Sequence, residues 1–114
     1  MSDNPANLTL DFERTGTTVV VRCHGRLVAG TGDVLYSRVK ELIPDTKRIV
    51  LDLSELAYMD SMGLSTIIRL YVSARAAGCE LELINLGKRV RELLGITNLL
   101  SVFTICGEHH VRIP

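Results

Sequence analysis

Tryptophan is missing from this chain, and only three Tyr and two Phe stand in for it. Stacking platforms for bases or sugars need more aromatic surface than that. Charge of one sign is also missing, because thirteen basic residues cancel thirteen acidic ones. Nonspecific binding to nucleic acid or to a membrane surface needs a clear positive surplus, so neither is expected. No apolar run approaches the roughly 20 residues of a membrane span. Met1 to Pro5 is polar and carries no apolar signal core, so the chain reads as cytoplasmic. Cysteine is scarce: Cys23, Cys79 and Cys106 are odd in number, widely spaced, and form no Cys-x-x-Cys pair. A disulfide framework or a zinc site is not expected, and the three read as small apolar core residues.

What is present is an apolar share of 46% in 114 residues, enough for one domain with a real core. The expectation is a single domain over 1–114, with its core in 8–106. Leu8, Leu10 and Phe12 alternate with polar residues, as in a half-exposed strand. Val19 to His24 repeats the pattern beyond the turn signal at Gly16, which predicts a hairpin. A helix is expected over 33–43, with Leu35, Val39, Leu42 and Ile43 inward and Pro44 ending it. A third strand follows over 48–53. Leu64, Ile67, Ile68, Tyr71 and Val72 fit helical spacing and predict a long helix over 61–77, closed by Gly78. A fourth strand over 80–85, a short helix over 88–94 and a fifth strand within 99–106 complete the pattern. His109 and His110 read as part of a solvated tail.

Strands that alternate with helices predict parallel crossovers, so the fold class is α/β. A doubly wound sheet is covered on both faces and has nearly all-apolar strands. Here Asp11, Asp52, Glu80 and Glu82 share one face. The expected architecture is a mixed sheet of about five strands that begins with a hairpin. Helices pack mainly on one face, and the four acidic residues are exposed on the other.

Signs of catalysis are few. There is no phosphate-binding G-x-x-x-x-G-K-[ST] loop. Gly30 and Gly32 lack the third glycine of a dinucleotide site. The three histidines have no evident nucleophile or acid partner. No cofactor and no metal are expected. The distinctive segment is Tyr58-Met59-Asp60-Ser61-Met62-Gly63-Leu64, between the third strand and the long helix. Asp60 and Ser61 are good N-cap residues. Gly63 in the first turn costs helix stability relative to alanine. A bare backbone there suggests that a partner or a phosphate must come close.

The stretch from Ile49 to Ile67, IVLDLSELAYMDSMGLSTI, resembles the central signature of the STAS family, Asp-Ser-[Ser/Thr]-Gly-Leu opening a helix. VRCHGRLVAGT, residues 21–31, resembles the family's segment before the first helix. Residues 78–85 and 90–99 resemble two later segments, so the likeness covers roughly 8–106. The resemblance implies the STAS fold and a protein-binding switch rather than an enzyme: a bacterial anti-sigma-factor antagonist. In such antagonists the serine after the aspartate, here Ser61, is phosphorylated by an anti-sigma factor that is itself a serine kinase. A phosphatase resets the switch. Asp60 and Gly63 would shape the helix start. Met62, Leu27 and Val28 would form an apolar contact patch, with Thr31 on the neighbouring loop. Two positions depart from the family pattern. Met62 replaces the usual second Ser or Thr, and Val28 stands where many phosphorylated members carry Asp. Both favour an alternative: a phosphorylation-independent STAS subunit of a lipid-transport or stress-signalling assembly. A phosphorelay receiver would need an acidic cluster for Mg²⁺ after an early strand. His24-Gly25-Arg26 stands there instead.

Overall fold

A computed structural model describes residues 8–88, 91–92, 104–106 and 110–112. Strand β1, Leu8–Thr15, turns back at Gly16 (φ +63°) into β2, Thr18–Leu27. Helix α1, Gly32–Leu42, runs into a 3-10 turn over Ile43–Asp45 that holds Pro44. Strand β3, Arg48–Met59, leads into α2, Ser61–Ala76, and then β4, Glu80–Ile84. Gly78, at φ +76°, takes the left-handed conformation that closes α2. Two short strands follow, β5 at Thr104–Cys106 and β6 at His110–Arg112. Lys88, Arg91 and Glu92 are helical, inside the expected 88–94 helix.

The strands form one sheet in the order β1-β2-β3-β4-β6-β5. β2, β3 and β4 are mutually parallel, and the other neighbours pair antiparallel. The hairpin and the α/β alternation are therefore as the sequence predicts. Among the described residues the sheet has six strands, one more than the approximate five expected. The sixth comes from the segment read as a solvated tail, since His110–Arg112 lies between β4 and β5. Three residues are too short to show a period, and their pairing with Glu82–Ile84 is what makes them a strand. Residues 99–103 of the expected fifth strand lie outside the described residues.

Leu35 and Val39 of α1 and Leu64, Ile67, Leu70 and Ala74 of α2 join one core with Val21, Ile49, Leu51, Leu81 and Leu83 of the sheet. Both helices thus lie on the same face. The opposite face is more closed than expected. Asp11 and Glu80 are exposed, but Asp52 and Glu82 are only 5% and 6% exposed, no more than Leu10 at 8%. Neighbouring strands account for this correction. Glu82 lies between Val50 of β3 and Arg112 of β6 in register. The Asp52 carboxylate accepts hydrogen bonds from the Ser54 amide at 3.0 Å, Asn85 Nδ2 at 3.1 Å and Arg22 Nε at 3.2 Å. A buried carboxylate is tolerated when it is paired in this way.

Burial pushes the Asp52 carboxyl up, but hydrogen bonds from Ser54, Asn85 and Arg22 outweigh burial and hold it below the usual range. The unfolded chain then binds this proton more tightly than the native one. The resulting stability is complete above the ordinary carboxylate range and is lost as pH falls through that range toward the native value. Asp52→Asn is expected to cost about 1–2 kcal/mol at pH 7 and to melt with a shallower acid limb. Parallel melting curves from pH 7 to pH 3 for variant and wild type would contradict this.

Cys23 and Cys79 are free and buried. Burial, aided by the Asp52 carboxylate, raises the Cys23 thiol to about 12. Only the thiolate is reactive. Cys23 should therefore escape alkylation by iodoacetamide at pH 8 in the native protein and react in urea. Peptide mapping that finds native Cys23 labelled would contradict the assignment.

Candidate functional site

Parallel strands β2 and β3 end level with each other, with Leu27 opposite Met59. Both following helices therefore start at the same sheet edge, the carboxyl edge where α/β sheets place their sites. Asp60 leaves β3 in an extended conformation, and its Oδ1 accepts the Gly63 amide at 2.9 Å. Its own amide donates to the Leu27 carbonyl at 3.4 Å, and its carbonyl accepts from the Leu64 amide at 3.0 Å. Asp60 is the N-cap of α2, as its residue type suggests.

Ser61 is the first residue of α2 and is exposed. Met62 beside it is 56% exposed. A groove of about 200 Å³ opens next to them. Val28, Ala29 and Gly30 line one side, and Met62, Ser65 and Arg69 line the other. The Arg69 guanidinium stacks 4.4 Å from the Tyr36 ring centre and reaches Asp33 Oδ1 at 3.5 Å. The Tyr36 hydroxyl lies 3.1 Å from Ser73 Oγ, which further joins α1 to α2. Helix α1 can approach this closely because Gly32 has no side chain: a Cβ there would overlap Thr66 Oγ1.

Three of the expected contact residues have other roles. Leu27 is 0% exposed, since its side chain alternates into the core at the end of β2. It offers no patch to a partner. Gly63 is buried, and what approaches its bare backbone is this chain itself. A Cβ at 63 would overlap the Leu27 carbonyl oxygen and lie 2.8 Å from its carbon and 2.9 Å from Met59 Cγ. Thr31 is 3% exposed, with its hydroxyl bonded inside its own loop. Met62 and Val28 do come together at the groove, and Ser61 lies beside Met62 without lining it. Sequence reasoning missed Ser65 and Arg69, although Met62, Ser65 and Arg69 follow i, i+3, i+7 spacing. That stripe of α2 was readable as its outward face.

Among the described residues no group of three or more His, Cys, Asp or Glu could hold a metal ion. His24 Nε2 pairs with Asp11 at 2.8 Å on the β1–β2 hairpin. No helix among the described residues is long and apolar enough to cross a membrane. The arrangement at the carboxyl edge suits recognition: an exposed hydroxyl at a helix start, an exposed thioether and a shallow groove.

The chain is 30% identical over 101 residues to the anti-sigma F factor antagonist of Paenibacillus polymyxa, covering 87% of this chain and 86% of that one. In fold it resembles an anti-sigma factor antagonist from Mycobacterium paratuberculosis, with TM-score 0.77, 21% identity and coverage of 95% and 92%. It also resembles the anti-sigma factor antagonist SpoIIAA in its unphosphorylated form, with TM-score 0.70, 22% identity and coverage of 80% and 82%. For the phosphorylated form of SpoIIAA the TM-score is 0.67 at 21% identity, with coverage of 80% and 85%. The STAS domain model matches residues 9–111, which spans the hairpin, both helices and the groove between them, and the chain belongs to the STAS domain family.

Proposed function

We propose that this protein is an anti-sigma factor antagonist, a binding switch rather than an enzyme. With Ser61 unmodified, the α2 start and the Val28 wall capture an anti-sigma factor and so free a sigma factor. Phosphorylation of Ser61 by that anti-sigma factor, acting as a serine kinase, ends the capture, and a phosphatase restores it. The observation that carries the reading is the exposed Ser61 at the first turn of α2, next to exposed Met62 at the mouth of the groove. The relatives' names, and the two forms of SpoIIAA, support it.

The chemistry is consistent with a switch that blocks an interface. A phosphate adds about −1.5 to −2 charges at pH 7. The start of a helix offers roughly half a positive charge, so the fold tolerates the group. A partner pressed on Met62 would have to desolvate that phosphate, at a cost of several kcal/mol. The direct test is incubation with the serine-kinase anti-sigma factor of the same genome and ATP, followed by mass spectrometry. Phosphate on Ser61 is the expected result; phosphate elsewhere would overturn the assignment. The phosphorylation-independent subunit is the second reading. It draws on Met62, whose exposed thioether leaves no second hydroxyl beside Ser61, and it is favoured if no phosphate is transferred.

A further inference from the structure

A threonine at a helix N-cap ordinarily turns its hydroxyl forward to the amides of the first turn. Thr31 occupies that position on α1 and makes no side-chain cap. Its Oγ1 turns back into the loop. There it accepts the Val28 amide at 2.9 Å and donates to the Arg26 carbonyl at 2.9 Å. The Val28 carbonyl, 3.2 Å from the same Oγ1, also accepts the Gly32 amide at 2.9 Å. Val28 is thus held at both its amide and its carbonyl. Thr31 is 3% exposed, although Ala29 and Gly30 just before it are exposed. A buried hydroxyl that forgoes its helix and holds an exposed loop is placed for the loop's sake.

We propose that Thr31 is a positioning residue of the partner-binding face. It does not touch the partner; it fixes Val28 across the groove from Met62, so that the two walls are already in place when the partner arrives. This rests on the reading that the carboxyl edge binds an anti-sigma factor. Ordering a loop before binding removes a cost that the complex would otherwise carry.

The test uses the full chain as wild type, Thr31→Val and Thr31→Ser, with Ser61→Asp as a reference. Valine keeps the shape of threonine and removes the hydroxyl; serine keeps the hydroxyl. Amide hydrogen exchange reads Val28 in the loop and Ile49 and Leu51 in β3 from one sample. Calorimetric titration with the anti-sigma factor of the same genome gives Kd. In Thr31→Val, Val28 should exchange at least tenfold faster, Ile49 and Leu51 should be unchanged, and Kd should weaken at least tenfold. Thr31→Ser should restore both. Unchanged exchange at Val28, wild-type Kd in Thr31→Val, or no rescue by serine would each overturn the proposal. So would faster exchange in β3, because the hydroxyl would then serve the whole fold. If wild type fails to bind, the functional reading falls and the proposal falls with it. If wild type binds and Ser61→Asp does not, wild-type Kd in Thr31→Val removes only the role of Thr31.

Discussion

Gly63→Ala should lower the melting temperature by roughly 10–15 °C, a loss of about 3 kcal/mol. Alanine is normally the better helix residue, by about 1 kcal/mol, so propensity alone predicts the opposite sign. Contact decides. The added Cβ would overlap the Leu27 carbonyl oxygen, with the carbonyl carbon at 2.8 Å and Met59 Cγ at 2.9 Å. Met59 can turn its side chain, but Leu27 is backbone at the end of a paired strand. The Leu27 carbonyl also accepts the Asp60 amide, so moving it disturbs the α2 cap. Gly87→Ala is the control, since a Cβ there meets nothing within 4 Å. It should leave the melting temperature unchanged or raise it slightly. Equal effects at the two glycines would show that the approach of α2 to Leu27 is not tight.

Two residues earlier the expectation is the reverse: a fold unaffected and a function lost. Ser61→Asp should melt within about 2 °C of wild type, because a negative charge at a helix start is favourable by about 0.3–1 kcal/mol. Its affinity for the anti-sigma factor should fall at least tenfold, or about 1.4 kcal/mol. Ser61→Ala should bind like wild type and accept no phosphate. Ser61 is exposed, so none of these changes reaches the core. Equal Kd values for Ser61→Asp and wild type would move the chain to the phosphorylation-independent reading.

Local signals were readable in the sequence. Alternation in β1 and β2, helical spacing in α2, the aspartate that caps it and the glycine that closes it all act within a few residues of themselves. Readings that failed depend on distant neighbours. Leu27 looks like part of an exposed contact patch until β2 continues beside β3 and its side chain turns into the core. Gly63 looks like a vacancy for a partner until α2 folds back on Leu27, which is 36 positions earlier. Asp52 looks like a surface carboxylate because Asn85, one of its donors, comes from after β4. Asn85 itself adopts φ +57°, a conformation that asparagine accepts more readily than most residues. The groove was half legible: Ser61 and Met62 stand out in the motif, whereas Arg69 is one turn too far along α2 to attract notice.

Strands β2 and β3 run unequal distances to reach the same edge. From Arg22 to Leu27 the chain takes five steps, while its partner takes seven, from Asp52 to Met59. The surplus sits in two bulges, where β3 carries one more residue than β2. This stretch therefore works as a measured length rather than as a spacer. Loss of one residue between 53 and 58 would not merely shorten a loop. It would reverse the sides of all that follows up to Asp60, sending Met59 outward and turning the α2 start away from Leu27. Insertions and deletions during descent should accordingly be rare between Asp52 and Ser61 and tolerated at the Gly16 turn. A collection of length variants of this chain, sorted for folding, would show that contrast directly.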